Sequence, residues 1–383
     1  MKKALLNGRV FDGEKLHHGL AVLLNNDRIT GLVEERDIPD SIETSWDLAG
    51  NILAPGLIDI QVNGGGGVMF NDAPSVETIR RMGAAHRRFG TTGFLPTMIS
   101  TDFDTMKCAI EAVGQAIFEG VGGVLGIHLE GPFLNPDKCG IHHADRFCKL
   151  DEAAFEMLTS MKAGCTLVTL APEKTGTEMI SRLSAEGVIV FGGHSAATYE
   201  QAQEALQAGM RGFTHLFNAM SPFETRAPGM VGAALHDRHS WFGIIADGQH
   251  VHPAAFAVAL AAKPAGRALL VTDAMATVGS QTRSFKFDGA EITAVDGCCR
   301  TSSGSLAGSD LDMMSAVRNA VKFAGLKPSE ALRMASTYPA HALGLESELG
   351  QILPGYRASF IEVDDQLDLY RTWIDGEVSE ARC

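Results

Sequence analysis

Val124-Leu125-Gly126-Ile127-His128-Leu129 is an apolar run that stops at Glu130, with Gly131-Pro132 directly behind it. A short apolar run bounded by turn residues is a candidate buried strand. Seven comparable runs lie at 56–60, 93–98, 166–170, 188–191, 212–216, 242–246 and 268–272. Most of the gaps between them are long enough for a helix, and a helical crossover is the usual way to join parallel strands. Eight such units predict an α/β fold, a closed (β/α)8 TIM-type barrel, whose active site gathers at the C-terminal ends of the strands. Five of the runs end at or near a His, Asp or Glu, namely Glu130, His194, His215, Asp247, His250 and Asp273. Closure of the barrel would bring these distant positions into one pocket.

The chain has 383 residues, about right for a barrel plus a smaller module, and 45% of them are hydrophobic, enough for a sizeable core. The segments on either side of the barrel look alike. Strand-like stretches at 3–10, 20–25 and 28–33 are separated by turns at Asp12-Gly13 and Asn25-Asn26-Asp27, and further ones at 358–363 and 372–374 precede the turn Asp375-Gly376. They predict a small β-sandwich module built from both termini, residues 1–53 plus 345–383, around a barrel at 54–344. Helices are expected at 75–89, 102–118, 151–161, 199–208, 254–262, 310–323 and 328–336, with Thr198 and Ser309 as N-caps. Residues 284–304 break the pattern and suggest an inserted hairpin around Asp288-Gly289.

A net charge of −14 argues against nonspecific nucleic-acid binding, and any anionic substrate would need a local cluster of positive charge. No apolar stretch approaches the roughly 18 residues of a membrane span, and the start lacks the apolar core of a secretion signal. The seven cysteines contain no CxxC pair. Reduced thiols in a cytoplasmic protein are the expectation.

Glu130, His194 and His215 each lie at or near the end of an apolar run. Any one of them alone reads as a hydrogen-bonded structural residue. Two imidazoles and a carboxylate at equivalent barrel positions make a zinc-type donor set with a position left open for water. Asp273 closes Ala268-Leu269-Leu270-Val271-Thr272. A carboxylate there is either a cap, an ion-pair partner, or a general base toward an activated water. His250-Val251-His252 is ambiguous between a ligand pair and a substrate-contacting His250 beside a structural His252. His86 and His128 read as core or helix-surface histidines. Gly64 to Gly67 lack a following Lys-Ser/Thr, so they form no phosphate-binding P-loop.

Together these segments resemble the amidohydrolase superfamily and, within it, the N-acetylglucosamine-6-phosphate deacetylases. The resemblance rests on Ala54-Pro55-Gly56-Leu57-Ile58-Asp59-Ile60-Gln61-Val62-Asn63-Gly64, His128-Leu129-Glu130-Gly131-Pro132, Gly192-Gly193-His194-Ser195 and Thr214-His215-Leu216-Phe217-Asn218-Ala219-Met220. It continues through Arg226-Ala227-Pro228-Gly229, Asp247-Gly248-Gln249-His250, Val271-Thr272-Asp273-Ala274 and Leu306-Ala307-Gly308-Ser309, and so spans essentially the whole chain. It implies that Glu130, His194 and His215 hold the metal and that Asp273 is the catalytic acid/base. It implies sugar and phosphate contacts at His142, Asn218, Ala219, Arg226, His250, Leu306, Ala307 and Gly308. It also implies a homodimer in which Arg226 reaches the neighbouring subunit's pocket, and a phosphorylated amino sugar as substrate. One departure stands out. Where many amidohydrolases carry His-x-His on the first strand, this chain has Gln61-Val62-Asn63. Amides ligate poorly, so a single divalent metal is expected, zinc first and iron as the alternative. The competing expectations are another metal-dependent amidohydrolase, acting on a cyclic amide or another N-acyl sugar, and a non-catalytic sugar-phosphate binding protein.

Overall fold

The computed structural model describes residues 1–380. Its centre is an eight-stranded parallel sheet: Leu57–Val62, Thr91–Ile99, Gly126–Glu130, Cys165–Leu170, Ile189–Gly192, Gly212–Phe213, Trp241–Ile245 and Ala268–Val271, each beside its neighbour in sequence. All eight expected runs became strands. The first two are buried along their whole length, as parallel strands are when the barrel interior lies on one side and helices on the other. Bulky side chains fill that interior. Gly212 makes room for one of them, since a Cβ there would lie 2.6 Å from the Phe191 ring.

The first and last strands meet through polar groups. Val62 bridges Ala274 in parallel, and the Asp273 amide donates to the Gln61 carbonyl at 3.0 Å. Beneath them Asp59, fully buried, accepts from the amides of Gln61 at 3.2 Å and Thr272 at 3.3 Å and pairs with the Thr272 hydroxyl. Burial pushes the Asp59 carboxyl up to about 7 despite these bonds.

Helices cover the outside. Val76–Arg87 starts at Ser75, whose hydroxyl accepts from the Thr78 amide, and buries Ile79, Met82, Ala85 and His86 at helical spacing. Thr198 caps Tyr199–Gln207 in a reciprocal capping box with Gln201. Ser309 is not a cap. The helix Met313–Ala324 starts later, with Asp312 as its cap, and the Ser309 hydroxyl instead donates to the Thr272 carbonyl and accepts from the Leu311 amide. Four helical segments escaped the sequence reading, Pro172–Thr175, Thr177–Ala185, Gly229–His236 and Thr337–Leu343. The first is a single turn of four residues, and Gly229–His236 is buried almost all round, so no polar face marks its period.

The terminal segments pair as expected for a sandwich. Arg28–Glu34, Leu20–Asn25, Lys2–Leu6 and Thr44–Asp47 form one sheet, while Glu377–Glu380, Leu369–Ile374, Phe360–Val363, Ile52–Pro55, Arg9–Phe11 and Leu16–His18 form the other. Leu5, Val22, Leu24, Leu53, Phe360 and Trp373 share their core, and Trp46 meets Trp373 edge-on at 6.4 Å. The expected hairpin is larger than predicted. Ser284–Phe287, Ala290–Val295, Cys298–Thr301 and Leu306–Ser309 make a four-stranded antiparallel sheet, since the chain turns twice more before the next helix.

Asp59 predicts a stability signature. Its folded pKa is raised above the ordinary 3.8. The stability it contributes is therefore fully present below about pH 4 and is lost as pH rises through about 7. Asp59→Asn mimics the protonated form, so its Tm relative to wild type should rise by about 2 °C or more between pH 5 and pH 8. A Tm difference that stays the same at both pH values contradicts the assignment.

Candidate metal centre and substrate cavity

Three strand ends supply the cluster. Glu130 ends the third strand, His194 follows the fifth by two residues and His215 follows the sixth by two. His215 Nε2 lies 3.0 Å from Glu130 Oε1, His194 Nε2 lies 3.4 Å from the same oxygen, and the two Nε2 atoms are 3.0 Å apart. All three side chains are buried. His194 Nδ1 sits 2.8 Å from the Lys138 carbonyl. A carbonyl only accepts, so Nδ1 carries the proton and Nε2 offers its lone pair inward. Lone pairs facing one another at such separations are what a cation would relieve. The donor set therefore fits a divalent metal.

His194, His215 and Asp273 have φ of 47°, 32° and 52°. Left-handed backbone at non-glycine residues costs on the order of 1–3 kcal/mol each and concentrates at functional sites. Here it turns each side chain back over the barrel mouth.

Asp273 joins the cluster through the first strand. Gln61 Nε2 donates to Glu130 Oε1 at 3.0 Å and to Asp273 Oδ1 at 3.1 Å, and Asn63 Nδ2 donates to the same Asp273 oxygen at 2.7 Å. The two amides at the His-x-His positions thus act as donors that hold carboxylates. Burial first, and the charge of Glu130 second, push the Asp273 carboxyl up to about 6. Burial alone would raise Glu130 too, but the His194 and His215 imidazoles around it outweigh burial and hold the carboxylate well below its usual range.

A cavity of about 180 Å³ opens beside the cluster. Of the residues expected from sequence, His142, Asn218, Ala219, His250, Leu306 and Gly308 line it together with Asn63 and Asp273. His250 is oriented by Asp247, whose Oδ2 lies 2.5 Å from its Nδ1. His252 instead caps Pro253–Ala262. Ala307 points away, into the core of the inserted sheet. Arg226 is not in this cavity; it borders a separate hollow of about 330 Å³ with Tyr199 and Pro222. His128 is structural, held between the Ile60 carbonyl at 2.9 Å and Thr169 Oγ1 at 2.8 Å. His86 is buried against the Gly64 carbonyl.

Sequence reading missed Ile99, Ile141 and Met275 in the wall. It also missed Glu173, whose carboxylate ties Asn135 to Ser195 and the Ala196 amide at 2.7–2.8 Å. Glu173 lies three residues beyond its strand, and nothing in its neighbours distinguished it from a helix-surface acid.

The amidohydrolase family model matches residues 52–379, and a NagA composite domain model matches residues 4–53. The chain belongs to the amidohydrolase family. Among curated amidohydrolase relatives, it is 44% identical to an N-acetylgalactosamine-6-phosphate deacetylase of Shewanella sp. (strain ANA-3), over 86% of this chain and 84% of that one. It is 33% identical to an N-acetylglucosamine-6-phosphate deacetylase of Haemophilus influenzae, over 99% of this chain and all of the other. The crystal structure of N-acetylglucosamine-6-phosphate deacetylase from Pasteurella multocida superposes with a TM-score of 0.95 at 35% identity, covering 99% of this chain and 100% of that one.

In this amidohydrolase site, metal should be measurable as stability. Adding Zn²⁺ to chelator-treated protein should raise Tm, with a stabilisation of about 4 kcal/mol when free metal exceeds Kd a thousandfold. Glu130→Gln and His215→Ala should abolish most of that rise. An unchanged rise in either variant removes that residue from the ligand set.

Proposed function

We propose that one divalent metal, zinc, bound by Glu130, His194 and His215, and Asp273 as the proton carrier together perform the reaction of this chain. The reaction is hydrolysis of the acetamide of N-acetyl-D-glucosamine 6-phosphate to D-glucosamine 6-phosphate and acetate, a step of amino-sugar catabolism. The observation behind the assignment of roles is the convergence of Glu130, His194, His215 and Asp273 at one cavity, from four strands spread over more than 140 residues.

The metal, when bound, supplies Lewis acidity that activates a water and polarises the acetamide carbonyl. Asp273 accepts the proton of the attacking water, and Gln61 and Asn63 hold the carboxylate in place through its Oδ1. An amine anion leaves poorly, so Asp273 returns that proton to the sugar nitrogen as the C–N bond breaks and acetate departs. His142, buried at the cavity wall, donates to the developing oxyanion. Asn218, Ala219, Leu306 and Gly308 shape the sugar pocket, and Ala307 sets the spacing between the last two.

The phosphate is gripped by His250 and by Arg226 of a second subunit in a cytoplasmic homodimer. In support, Arg226 lies outside the cavity of its own chain, and among the described residues no carboxylate pairs with it. One guanidinium, Arg226, and one imidazole, His250, also answer the charge problem of a protein at −14. We further propose the division into a module of residues 1–53 plus 345–383 and a barrel of 54–344. A second substrate reading is the 4-epimer, N-acetylgalactosamine 6-phosphate, favoured by relatives of that printed activity at 44% and 39% identity.

Acetate release from both phosphosugars, with and without chelator, tests the function; no chelator-sensitive release from either sinks it. Asp273→Asn should keep metal while kcat falls by roughly 10²- to 10⁴-fold. Arg226→Ala should raise KM for the phosphorylated sugar on the order of 10- to 100-fold and leave turnover of free N-acetylglucosamine nearly unchanged. Equal losses on both sugars would show that Arg226 does not read phosphate.

A further inference from the structure

Ser100 ends no functional motif and is not in the wall of the metal-side cavity, yet it touches the histidine proposed to meet the oxyanion. It follows the second strand, Thr91–Ile99, and is 4% exposed. Its hydroxyl lies 2.7 Å from His142 Nδ1, and its own backbone N–H points at the same nitrogen at 3.4 Å. A backbone N–H can only donate. His142 Nδ1 therefore presents a lone pair, and the hydroxyl at 2.7 Å must donate to it as well. The remaining acceptor near that hydroxyl, the Glu130 carbonyl, is farther away at 3.3 Å. With Nδ1 accepting, the ring proton sits on Nε2. That atom faces the cluster, 3.8 Å from Glu130 Oε2. The ring plane is held by the His194 ring, centroid to centroid 4.4 Å, and by the edge of Phe147 at 6.2 Å.

Space for this contact is built into the chain. Gly131 has φ +84°, and a Cβ there would lie 2.2 Å from the Ser100 hydroxyl. The glycine behind Glu130 is thus what lets Ser100 reach His142.

We propose that Ser100 is a positioning residue that fixes the Nε2–H tautomer of His142, so that the ring presents a donor to the oxyanion of the reacting acetamide. This rests on the deacetylase reading above. The tautomer is observable without turnover, so its failure is distinguishable from failure of that reading.

The test is ¹⁵N-histidine NMR of the zinc-loaded enzyme, with the His142 signals assigned by their loss in His142→Gln. Wild type should show a protonated Nε2 and an unprotonated Nδ1 at pH 7.5. Ser100→Ala should move both nitrogen shifts toward a tautomer mixture and lower kcat on the order of 10-fold, less than the roughly 10²- to 10³-fold for removing an oxyanion donor outright. Its zinc content and KM should stay within twofold of wild type. Ser100→Cys, which keeps a weak donor, should fall between the two. A protonated Nδ1 on His142 in wild type overturns the proposal, as does a Ser100→Ala enzyme with wild-type kcat and wild-type nitrogen shifts.

Discussion

A parallel barrel works as an enzyme only if its last strand finds its first. Here that seam is polar. The Asp273 amide bonds to the Gln61 carbonyl, and Asp59 beneath it gathers two amides and a hydroxyl from both sides. The same closure delivers the chemistry, because Gln61 spans the seam with its side chain too, reaching Glu130 and Asp273 with one amide nitrogen. Fold and site are not separable at this point. A strand register wrong by one residue would turn Gln61 and Asp273 out of the barrel mouth together.

Gln61 and Asn63 explain how two acids can share a buried pocket. Glu130 and Asp273 repel each other, and the repulsion contributes to the raised pKa of Asp273. In an enzyme with imidazoles at those positions, a second cation would offset that repulsion. Amide donors offset it partly and leave Asp273 more basic than an ordinary carboxylate. A more basic carboxylate suits a group that must both take and return a proton.

Much of this was legible in the sequence for physical reasons. Strands buried on both faces are written as plain apolar runs, so all eight could be read without knowing their partners. Functional side chains at strand ends stand out because a charged residue closing an apolar run is costly unless it has a task. Where the reading fell short, the missing information was three-dimensional. Helix Gly229–His236 is apolar on every side and shows no period. The insert reads as a hairpin because Ser302-Ser303-Gly304-Ser305, between its last two strands, carries only loop signals. Ser309 has the chemistry of a cap, but the helix is capped three residues further on, at Asp312. Ser100 and Glu173 act through other residues, and a residue that touches only its neighbours in space leaves no mark on the neighbours in sequence.

The four-stranded insert has a consequence for how such a protein can change. It sits between the eighth strand and the helix that follows, has its own small core around Ile292, Ala294 and Cys299, and sends only Leu306 and Gly308 to the cavity. None of the proposed ligands or proton carriers belongs to it. Selection can therefore redraw this one wall, residue by residue, while the barrel keeps its chemistry intact. Divergence between relatives that handle epimeric sugars would be expected to accumulate there before it reaches the strand ends.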